Sequence, residues 1–323
     1  MNIRFAPELK NQITKIEPNL IHNRFDLLFG DDWEMILIDN NILVPFHIEN
    51  NSGRVGLYLR DIGGAALQTL KSFLFEKYPG LIQIFFLHTY TDIDGIEPAV
   101  HWHIDLPNTM EEFDAALGKD VRRNSRRYPR YIREQIGEYT IDKIKPEQCT
   151  DEIMQMYLDW KKQSHGFVWN RPPREYLNFA GISDVYIMHT NAETLAIGFV
   201  CDTGGEMAFY DNFAYTPKYR TYSLGIVLYH AIIADMVARG KKRFCLLGGN
   251  LEYKRSYNGV ATMTRTGLVW RDPEIIKQID AIAPKIRKIP VFNYGRKRIA
   301  VIYSWLHKFP KYCKNILKTK VTK

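Results

Sequence analysis

The chain contains little cysteine and has no long apolar run. Its four cysteines, Cys149, Cys201, Cys245 and Cys313, are widely separated and form no Cys-x-x-Cys pair. This spacing predicts neither a zinc site nor a disulfide framework, so we expect buried or free thiols. The longest uncharged run, 221–234, is too short to span a bilayer, and the first residues contain no apolar signal segment. We therefore expect a cytoplasmic protein.

Acidic residues are absent from the end of the chain. Twelve Lys and Arg but no Asp or Glu lie between Ala281 and Lys323, although the whole chain has a formal net charge of only +8. We treat residues 273–323 as a basic tail. Its apolar segment Ile299 to Leu306 is flanked by cations, which favours contact with anionic lipid at the inner face of a membrane. Packing on the body of the protein and nucleic-acid binding are the alternatives.

No internal repeat or low-complexity segment is evident, and 323 residues with 46% hydrophobic content suit two α/β domains. The first, residues 1–107, has a helical pattern at Ala65 to Tyr78 and five strand-like runs: Trp33 to Ile38, Ile42 to Ile48, Val55 to Arg60, Leu81 to Leu87 and Val100 to Leu106. We find no phosphate-loop signature in it and interpret it as a scaffold or acceptor-binding lobe. The second, residues 108–272, alternates helices with strands, and the two α/β halves of the chain could reflect a diverged duplication.

The clearest local pattern runs from Phe209 to Gly225 and continues into the apolar segment 226–238. It predicts a strand, a loop from Arg220 to Gly225, and a helix whose first turn is open to a ligand. Unpaired amides and the positive end of the helix dipole suit such a turn to pyrophosphate. Small residues such as Ser223 allow close approach of the ligand to the backbone. An ordinary strand-to-helix turn is the alternative.

The spacing Arg-x-x-Ser-x-Gly in this loop resembles the Arg/Gln-x-x-Gly-x-Gly/Ala loop of the Gcn5-related N-acetyltransferases, with Ser223 in place of the first Gly. Two further blocks extend the resemblance. His101 to Arg127 resembles the entry segment of Fem-type peptidyltransferases and of the acetyltransferases called BioF2-like or CelD-like. Phe244 to Gly259 resembles a later segment of the same group. The three blocks cover about half of the chain, from Asp105 to Trp270.

The resemblance implies a mixed-sheet α/β fold of tandem Gcn5-related acyltransferase-like domains, the first possibly degenerate and the second holding the donor. Acetyl-CoA or another acyl-CoA would be the co-substrate. Its pantetheine arm would enter a gap beside the strand before the loop, and a main-chain N–H within Phe209 to Phe213 would polarise the acyl carbonyl. The residues implied to bind the donor are Phe213, Arg220, Thr221, Tyr222, Ser223, Leu224 and Gly225.

Transfer to an amine requires a base for the amine and an acid for the leaving thiolate. Asp211 is the candidate base because it interrupts the aromatic strand FYDNF near the loop. Tyr253 and Tyr257 are candidate acids. Lys254 matches a lysine of the resembling segment, where it would neutralise a donor phosphate or an acceptor carboxylate. Each has a structural alternative: a turn cap or ion pair for Asp211, core packing for the tyrosines, and a solvated surface position for the lysine.

Other residues are candidates for substrate binding. The segment Lys119 to Arg133 is rich in arginine, and Arg123 and Arg127 suit bidentate phosphate contact, with a solvated helix face as the alternative. Trp169 and Arg171 could line an acceptor pocket in a Gly- and Pro-rich loop, or the tryptophan could belong to the core. His101, His103 and Asp105 have no partner cluster, so we expect no metal.

The leading hypothesis is an N-acyltransferase that moves an acyl group from coenzyme A to an amine of a small-molecule or lipid-linked sugar in cell-envelope polysaccharide synthesis. The first alternative is a Fem-type peptidyltransferase that uses aminoacyl-tRNA and a peptidoglycan precursor, which the arginine-rich segment favours. The second is a non-catalytic polysaccharide assembly protein that keeps the fold.

Overall fold

The computed structural model describes residues 2–12, 33–49, 51–57, 60–94, 96, 98–202, 204–249, 252–272 and 274. The basic tail, and with it the predicted membrane segment, lies outside these residues. The described strands form one mixed sheet in the order β1-β2-β3-β4-β5-β12-β6-β11-β10-β9-β8-β7. The mixed α/β sheet predicted from the sequence is therefore confirmed.

Among the described residues, the first half of the sheet contains five strands and one α-helix. These are β1 (Ile3–Phe5), β2 (Glu34–Ile38), β3 (Ile42–Glu49), β4 (Ser52–Val55), α1 (Gly64–Lys77) and β5 (Gln83–Thr89). Neighbours β1 to β4 are antiparallel, whereas β4 and β5 are parallel because α1 connects them. Helix α1 buries Leu67, Leu70 and Leu74 against the sheet, as its helical periodicity predicts.

The second half repeats this order with more helices. It contains β6 (Pro98–Asp105), α2 (Met110–Ala116), α3 (Lys119–Gln135), β7 (Thr140–Ile144), α4 (Asp151–His165), α5 (Glu175–Ala180), β8 (Asp184–His189), β9 (Thr194–Asp202), β10 (Met207–Tyr215), α6 (Leu224–Ala238), β11 (Arg243–Gly248), α7 (Glu252–Ser256) and β12 (Val260–Trp270). Strands β7 to β10 are antiparallel and β10 is parallel to β11, with α6 between them.

The two halves are joined by an exchange of strands. Strand β6 follows β5 in sequence but pairs with β11, whereas β12 follows α7 but pairs with β5. The exchanged strands also pair with each other over Val260 to Arg265. The repeated order β4-α1-β5 and β10-α6-β11, closed by an exchanged strand on each side, is the tandem arrangement implied by the resemblance. The division at residue 107 remains a prediction.

Two cores flank the second half of the sheet. Helices α2, α3 and α6 cover one core, which includes Ile132, Leu228 and Phe244, and α4 and α5 cover the other, which includes Tyr157 and Phe199. Pro129 lies inside α3 rather than at its start. The strand that the sequence predicts at Val55 to Arg60 is observed earlier in the chain, at Ser52–Val55. The chain leaves the sheet after Val55 and forms the loop that precedes α1. The described cysteines, Cys149, Cys201 and Cys245, are buried thiols.

Candidate active site

A gap opens between two parallel strands in the second half of the sheet. Strands β10 and β11 pair only over Met207↔Arg243, Ala208↔Phe244 and Phe209↔Cys245. Beyond these positions β10 continues to Tyr215 and β11 to Gly248, but the two strands do not pair with each other. Both strands therefore border the space between them. This is the gap that the resemblance implies beside the strand before the loop.

The strand β10 has a β-bulge at the start of this gap. In its pairing with β9, Tyr210 faces Val200 and Asn212 faces Phe199, so Asp211 is the extra residue. A bulge re-aims the side chains that follow it and is common beside functional sites. Here it places Asp211 on the wall of the open gap.

A cleft of about 750 Å³ occupies the gap on the side of α4. Its walls come from the end of α4, from β10, from the end of β11 and from α7. A smaller cleft of about 240 Å³ lies beside it, against the start of α6. Both clefts are lined by Phe213, Tyr215, Arg220 and Tyr253. The two clefts thus flank β10 and converge at the loop.

The loop between β10 and α6 has the geometry expected of a phosphate cradle. Ser223 is in the left-handed conformation (φ 57°, ψ 34°), and its carbonyl accepts the amides of Ile226 and Val227 at 3.0 and 3.2 Å. The family's preference for Gly at this position follows from this conformation, which is costly for residues with a Cβ. Gly225, in the first turn of the helix that begins at Leu224, lines the smaller cleft, and the first amides of a helix have no intrahelical partner.

Gly225 permits the close approach of α6 to β10. A Cβ on this residue would overlap the ring of Phe213, and both residues line the smaller cleft. The remaining residues of the predicted donor loop have other surroundings. Thr221 is exposed, Leu224 is buried in the core, and Tyr222 stacks on Tyr131 of α3 with ring centroids 5.3 Å apart.

Asp211 belongs to a hydrogen-bonded series of buried side chains. The hydroxyl of Tyr176 donates to the Asp211 Oδ2 at 3.1 Å, and the hydroxyl of Tyr157 donates to that of Tyr176 at 3.4 Å. Burial, together with the Asp211 carboxylate, raises the pKa of Tyr176, so this phenol remains a donor. The series fixes the orientation of Asp211 while leaving the carboxylate on the cleft wall.

Two residues at the end of α4 were missed by the sequence analysis. Lys161, 8% exposed, extends its ammonium into the gap, and His165 lies on the same wall. Burial lowers the pKa of His165, assisted by the charge of Lys161, which favours the neutral imidazole that a base requires. The periodicity of α4 could have shown that Lys161 lies on the buried face with Tyr157 and Trp160.

The two candidate acids have different positions. Tyr253 lines both clefts, and burial raises its pKa to about 12, so it carries its proton at neutral pH. Tyr257 is 2% exposed and packs in the core against Phe113 and Tyr229. It lines neither cleft. The geometry favours Tyr253 over Tyr257 for proton transfer.

Lys254 is buried and organises the end of β11. Its ammonium donates to the carbonyls of Leu246 at 2.7 Å, Leu247 at 3.4 Å and Gly248 at 2.5 Å. Burial lowers its pKa to about 8. Three carbonyls use the three donors of the ammonium. The geometry therefore favours a role in shaping the strand end over the predicted contact with a substrate phosphate or carboxylate.

The arginines of α3 form a basic surface beside the loop, which we call the α3 surface. The helix contains seven basic and two acidic residues, and its outer side forms an open depression of about 560 Å³. Arg123 pairs with Asp120 at 3.0 Å, and Arg127 lies over the ring of Tyr128. The depression is lined by Lys119, Arg122, Arg123, Arg126, Arg127 and Arg130. Both predicted arginines thus lie on one surface, outside the two clefts.

The predicted acceptor residues lie behind the cleft wall. The Trp169 ring packs edge-on against Tyr176, with centroids 5.4 Å apart, and its Nε1 donates to the carbonyl of Pro172. Arg171 is exposed in the same loop. Neither residue lines the larger cleft. Within the described part of the chain, His, Cys, Asp and Glu form no group of three that could hold a metal ion.

The first half contains an equivalent loop, which the sequence analysis overlooked. Arg60, Gly63 and Ala65 have the spacing Arg-x-x-Gly-x-Ala between β4 and α1, where Arg220, Ser223 and Gly225 lie between β10 and α6. Gly63 has a positive φ of 76° and precedes its helix, as Ser223 does. The two loops correspond because each lies between the strand and the helix of the repeated unit, β4-α1-β5 or β10-α6-β11.

In the equivalent loop, a side chain of the loop itself binds the backbone amide. The Asp61 carboxylate accepts the amide of Gly63 and the hydroxyl of Thr91, both at 2.9 Å. Arg60 donates to the carbonyl of Leu43. A carboxylate already bound to the loop amide opposes binding of a phosphate there.

Comparisons with known proteins agree with this geometry. Residues 119–255 match the sequence model of the acetyltransferase (GNAT) domain, which spans the stretch from α3 to α7. No curated protein matches the chain. FemX has a similar structure with a TM-score of 0.59 at 8% identity, covering 83% of this chain and 96% of FemX.

Two further solved structures are similar to this chain. The C-terminal domain of a lysylphosphatidylglycerol synthetase from Agrobacterium fabrum has a TM-score of 0.56 at 12% identity, covering 85% of this chain and 95% of that one. L-PGS from Bacillus licheniformis has a TM-score of 0.55 at 11% identity, covering 84% and 94%. Identities this low show the fold. Together with the domain match, they show a GNAT and Fem-related fold with an N-acyltransferase domain in its second half.

Proposed function

We infer that this chain, an N-acyltransferase of the GNAT and Fem-related fold, transfers an acyl group from coenzyme A to an amine. The observation that carries the inference is the gap between β10 and β11, which opens at the bulge and leads to the loop at Arg220 to Gly225. The loop would bind the pyrophosphate, and the smaller cleft would hold the start of the pantetheine arm. The larger cleft would hold the acyl group and the acceptor.

In the transfer step the lone pair of the amine attacks the carbonyl carbon of the thioester. The carbonyl π electrons move to the oxygen, and the amine gives up a proton. When the carbonyl forms again, the carbon–sulfur bond breaks, its electron pair stays on sulfur, and the thiolate takes a proton. The products are an amide and free coenzyme A. The chain must therefore supply a base, an acid and stabilisation of the negative oxygen.

The cleft contains groups for the two proton transfers. Asp211 and His165 lie on the wall as candidate bases, and Tyr253 is the candidate acid. The raised pKa of Tyr253 keeps its phenol protonated at neutral pH, which is the state that a proton donor needs. Phe213, Arg220, Ser223 and Gly225 line the cleft beside the loop and would contact the donor, with Thr221, Tyr222 and Leu224 completing the loop.

The acceptor is proposed to be an amine on a sugar or a lipid-linked sugar of the cell envelope. The name of one similar protein, the lysylphosphatidylglycerol synthetase from Agrobacterium fabrum, refers to a lipid, which supports a lipid-linked acceptor. None of the described helices is long and apolar enough to cross a membrane. Contact with such an acceptor at the inner face of the membrane would involve the basic tail.

The donor assignment can be tested by calorimetry with acetyl-CoA, followed by measurement of thiol release with amino-sugar acceptors. Asp211→Asn and Tyr253→Phe should each lower turnover by roughly tenfold to ten-thousandfold, because each removes a proton-transfer group. Tyr257→Phe is the matched control, since Tyr257 is buried outside both clefts. Unchanged turnover in both cleft variants would remove the assignment, and absence of acetyl-CoA binding would support the non-catalytic alternative.

The α3 surface supports a second candidate, a Fem-type transferase that takes its acyl group from aminoacyl-tRNA. This surface is continuous with the loop through the stacking of Tyr131 on Tyr222, so a polyanion on it would lie beside the gap. Dependence of turnover on charged tRNA distinguishes this candidate from a coenzyme A donor. Arg123→Gln and Arg127→Gln should weaken tRNA binding and reduce its salt dependence, whereas acetyl-CoA turnover without tRNA would contradict this candidate.

A further inference from the structure

The gap between β10 and β11 contains an oxygen that is held by two converging donors. The side-chain Oδ1 of Asn212 accepts the ammonium of Lys161 at 2.8 Å and the main-chain amide of Phe213 at 3.0 Å. Because both partners can only donate, the shared atom must be the amide oxygen rather than the nitrogen. Two donors of different origin thus meet at one oxygen position.

The backbone of β10 explains why this position lies in the gap. The amide of Phe213 donates to Asn212, and the carbonyl of Phe213 accepts a second contact from Lys161 at 3.4 Å. Strand β11 does not pair with β10 here, so these groups lie beside the unpaired edge of β10. Lys161, Asn212 and Phe213 all line the larger cleft.

We propose that Lys161 and the amide of Phe213 form the binding site for the carbonyl oxygen of the acyl donor, and that the Asn212 amide oxygen occupies this site until the donor displaces it. The inference rests on the proposed acyl transfer and adds Lys161 as a catalytic residue. An ammonium and an amide directed at one oxygen stabilise the charge that develops when the amine attacks.

The surroundings of Lys161 suit this role. The residue is buried on α4, so its long side chain is held in place and little water competes for its ammonium. Burial lowers its pKa, and the charge of Asp211 opposes this shift. Asn212 also interacts with the hydroxyl of Tyr176.

The test compares two unreactive ligands in the absence of acceptor. One is the amide analogue of acetyl-CoA, in which NH replaces the thioester sulfur and the carbonyl keeps its position. The other is S-ethyl-CoA, which has no carbonyl. In calorimetry the wild-type chain should prefer the amide analogue by about tenfold, the effect of a hydrogen bond from a charged donor. Lys161→Met should abolish this preference and leave the affinity for S-ethyl-CoA within about twofold.

Exposed Lys162, the next residue of α4, provides the control variant Lys162→Met, which should keep the preference. Turnover of Lys161→Met should fall by about 100- to 1000-fold, as for loss of one oxyanion donor. Asn212→Ala is the second variant, which leaves Lys161 in place. Removal of the competing oxygen should strengthen binding of the amide analogue by a few-fold, with no change for S-ethyl-CoA.

The outcomes separate the inference from the function on which it rests. If both ligands bind the wild-type chain and Lys161→Met weakens them equally or not at all, the role of Lys161 is wrong while the coenzyme A donor stands. The same conclusion follows if Asn212→Ala leaves the preference for the amide analogue unchanged or reduces it. If neither ligand binds the wild-type chain, the coenzyme A donor itself is wrong.

Discussion

The two halves of the sheet contain the same strand–loop–helix unit, but only one of the two loops is open. In the first half, the Asp61 carboxylate is bonded to the amide of Gly63 at the start of α1. In the second half, Ser223 makes no side-chain bond at the start of α6, and the loop faces a cleft. The first loop has the more typical Gly at the position of Ser223, yet one side chain closes it. The second loop has the less typical Ser and remains open.

The strands that precede the two loops also differ, because one leaves its neighbour early and the other pairs along its whole length. Strand β10 has a bulge and leaves β11 after three paired positions, so the gap starts well before the loop. Strand β4 pairs with β5 over all four of its residues, from Ser52 to Val55. The second half therefore combines an open loop with an open strand edge, and under the proposed function the pantetheine arm would need both. Such a comparison predicts one donor site per chain.

The strongest test of the open loop is Gly225→Ala. The added methyl group would overlap the ring of Phe213, so we expect a loss of coenzyme A affinity of more than tenfold and destabilisation by about 1–3 kcal/mol. Gly64→Ala makes the same change in the first turn of α1, where no atom lies within 4 Å of the added Cβ. It should leave affinity unchanged. Equal effects of the two variants on calorimetric affinity would contradict the comparison.

A smaller effect is expected from Asp61→Ala in the closed loop. The variant loses two accepted hydrogen bonds, from Gly63 and Thr91, and should lower the free energy of unfolding in urea by about 1 kcal/mol. Asp61→Asn keeps an acceptor and should be milder. Coenzyme A should bind the wild-type chain at one site. A stoichiometry of two in the wild-type chain would show that the first loop is not closed.

The smallest effect is expected from Ser223→Gly. Glycine adopts the left-handed conformation of this residue without the Cβ penalty, so the free energy of unfolding should rise by about 0.5–1 kcal/mol. Ser223→Ala keeps the penalty and serves as the control. Thermal unfolding of the three proteins measures the difference. A variant Ser223→Gly that is less stable than Ser223→Ala would mean that the serine hydroxyl stabilises the loop more than the strain weakens it.

Much of the candidate site follows from local patterns. The strand, loop and helix from Phe209 onward were predicted at nearly their observed positions because apolar periodicity and turn residues act over short distances. Asp211 was selected because a carboxylate is unusual in an aromatic strand, and the structure places it on the cleft wall. The catalytic role of Asp211 and the donor role of the loop remain predictions.

Contacts between residues that are far apart in the sequence were not predictable in this way. Lys161 lies 51 positions before Asn212 in the sequence, and only the packing of α4 on β10 brings their side chains together. The spacing of Arg60, Gly63 and Ala65 was passed over because the preceding strand is short and lies earlier than predicted. Lys254 was assigned to a ligand because nothing local shows that three backbone carbonyls surround it.

The sequence by itself determined the α/β class, the elements around the loop and the small residues that shape it, because these depend on periodicity, turn chemistry and backbone sterics between near neighbours. The tertiary structure alone decided the exchange of β6 and β12 and the convergence of Lys161 with Phe213. These features depend on contacts between segments far apart in the chain, and a gap between two strands exists only once both strands are in place.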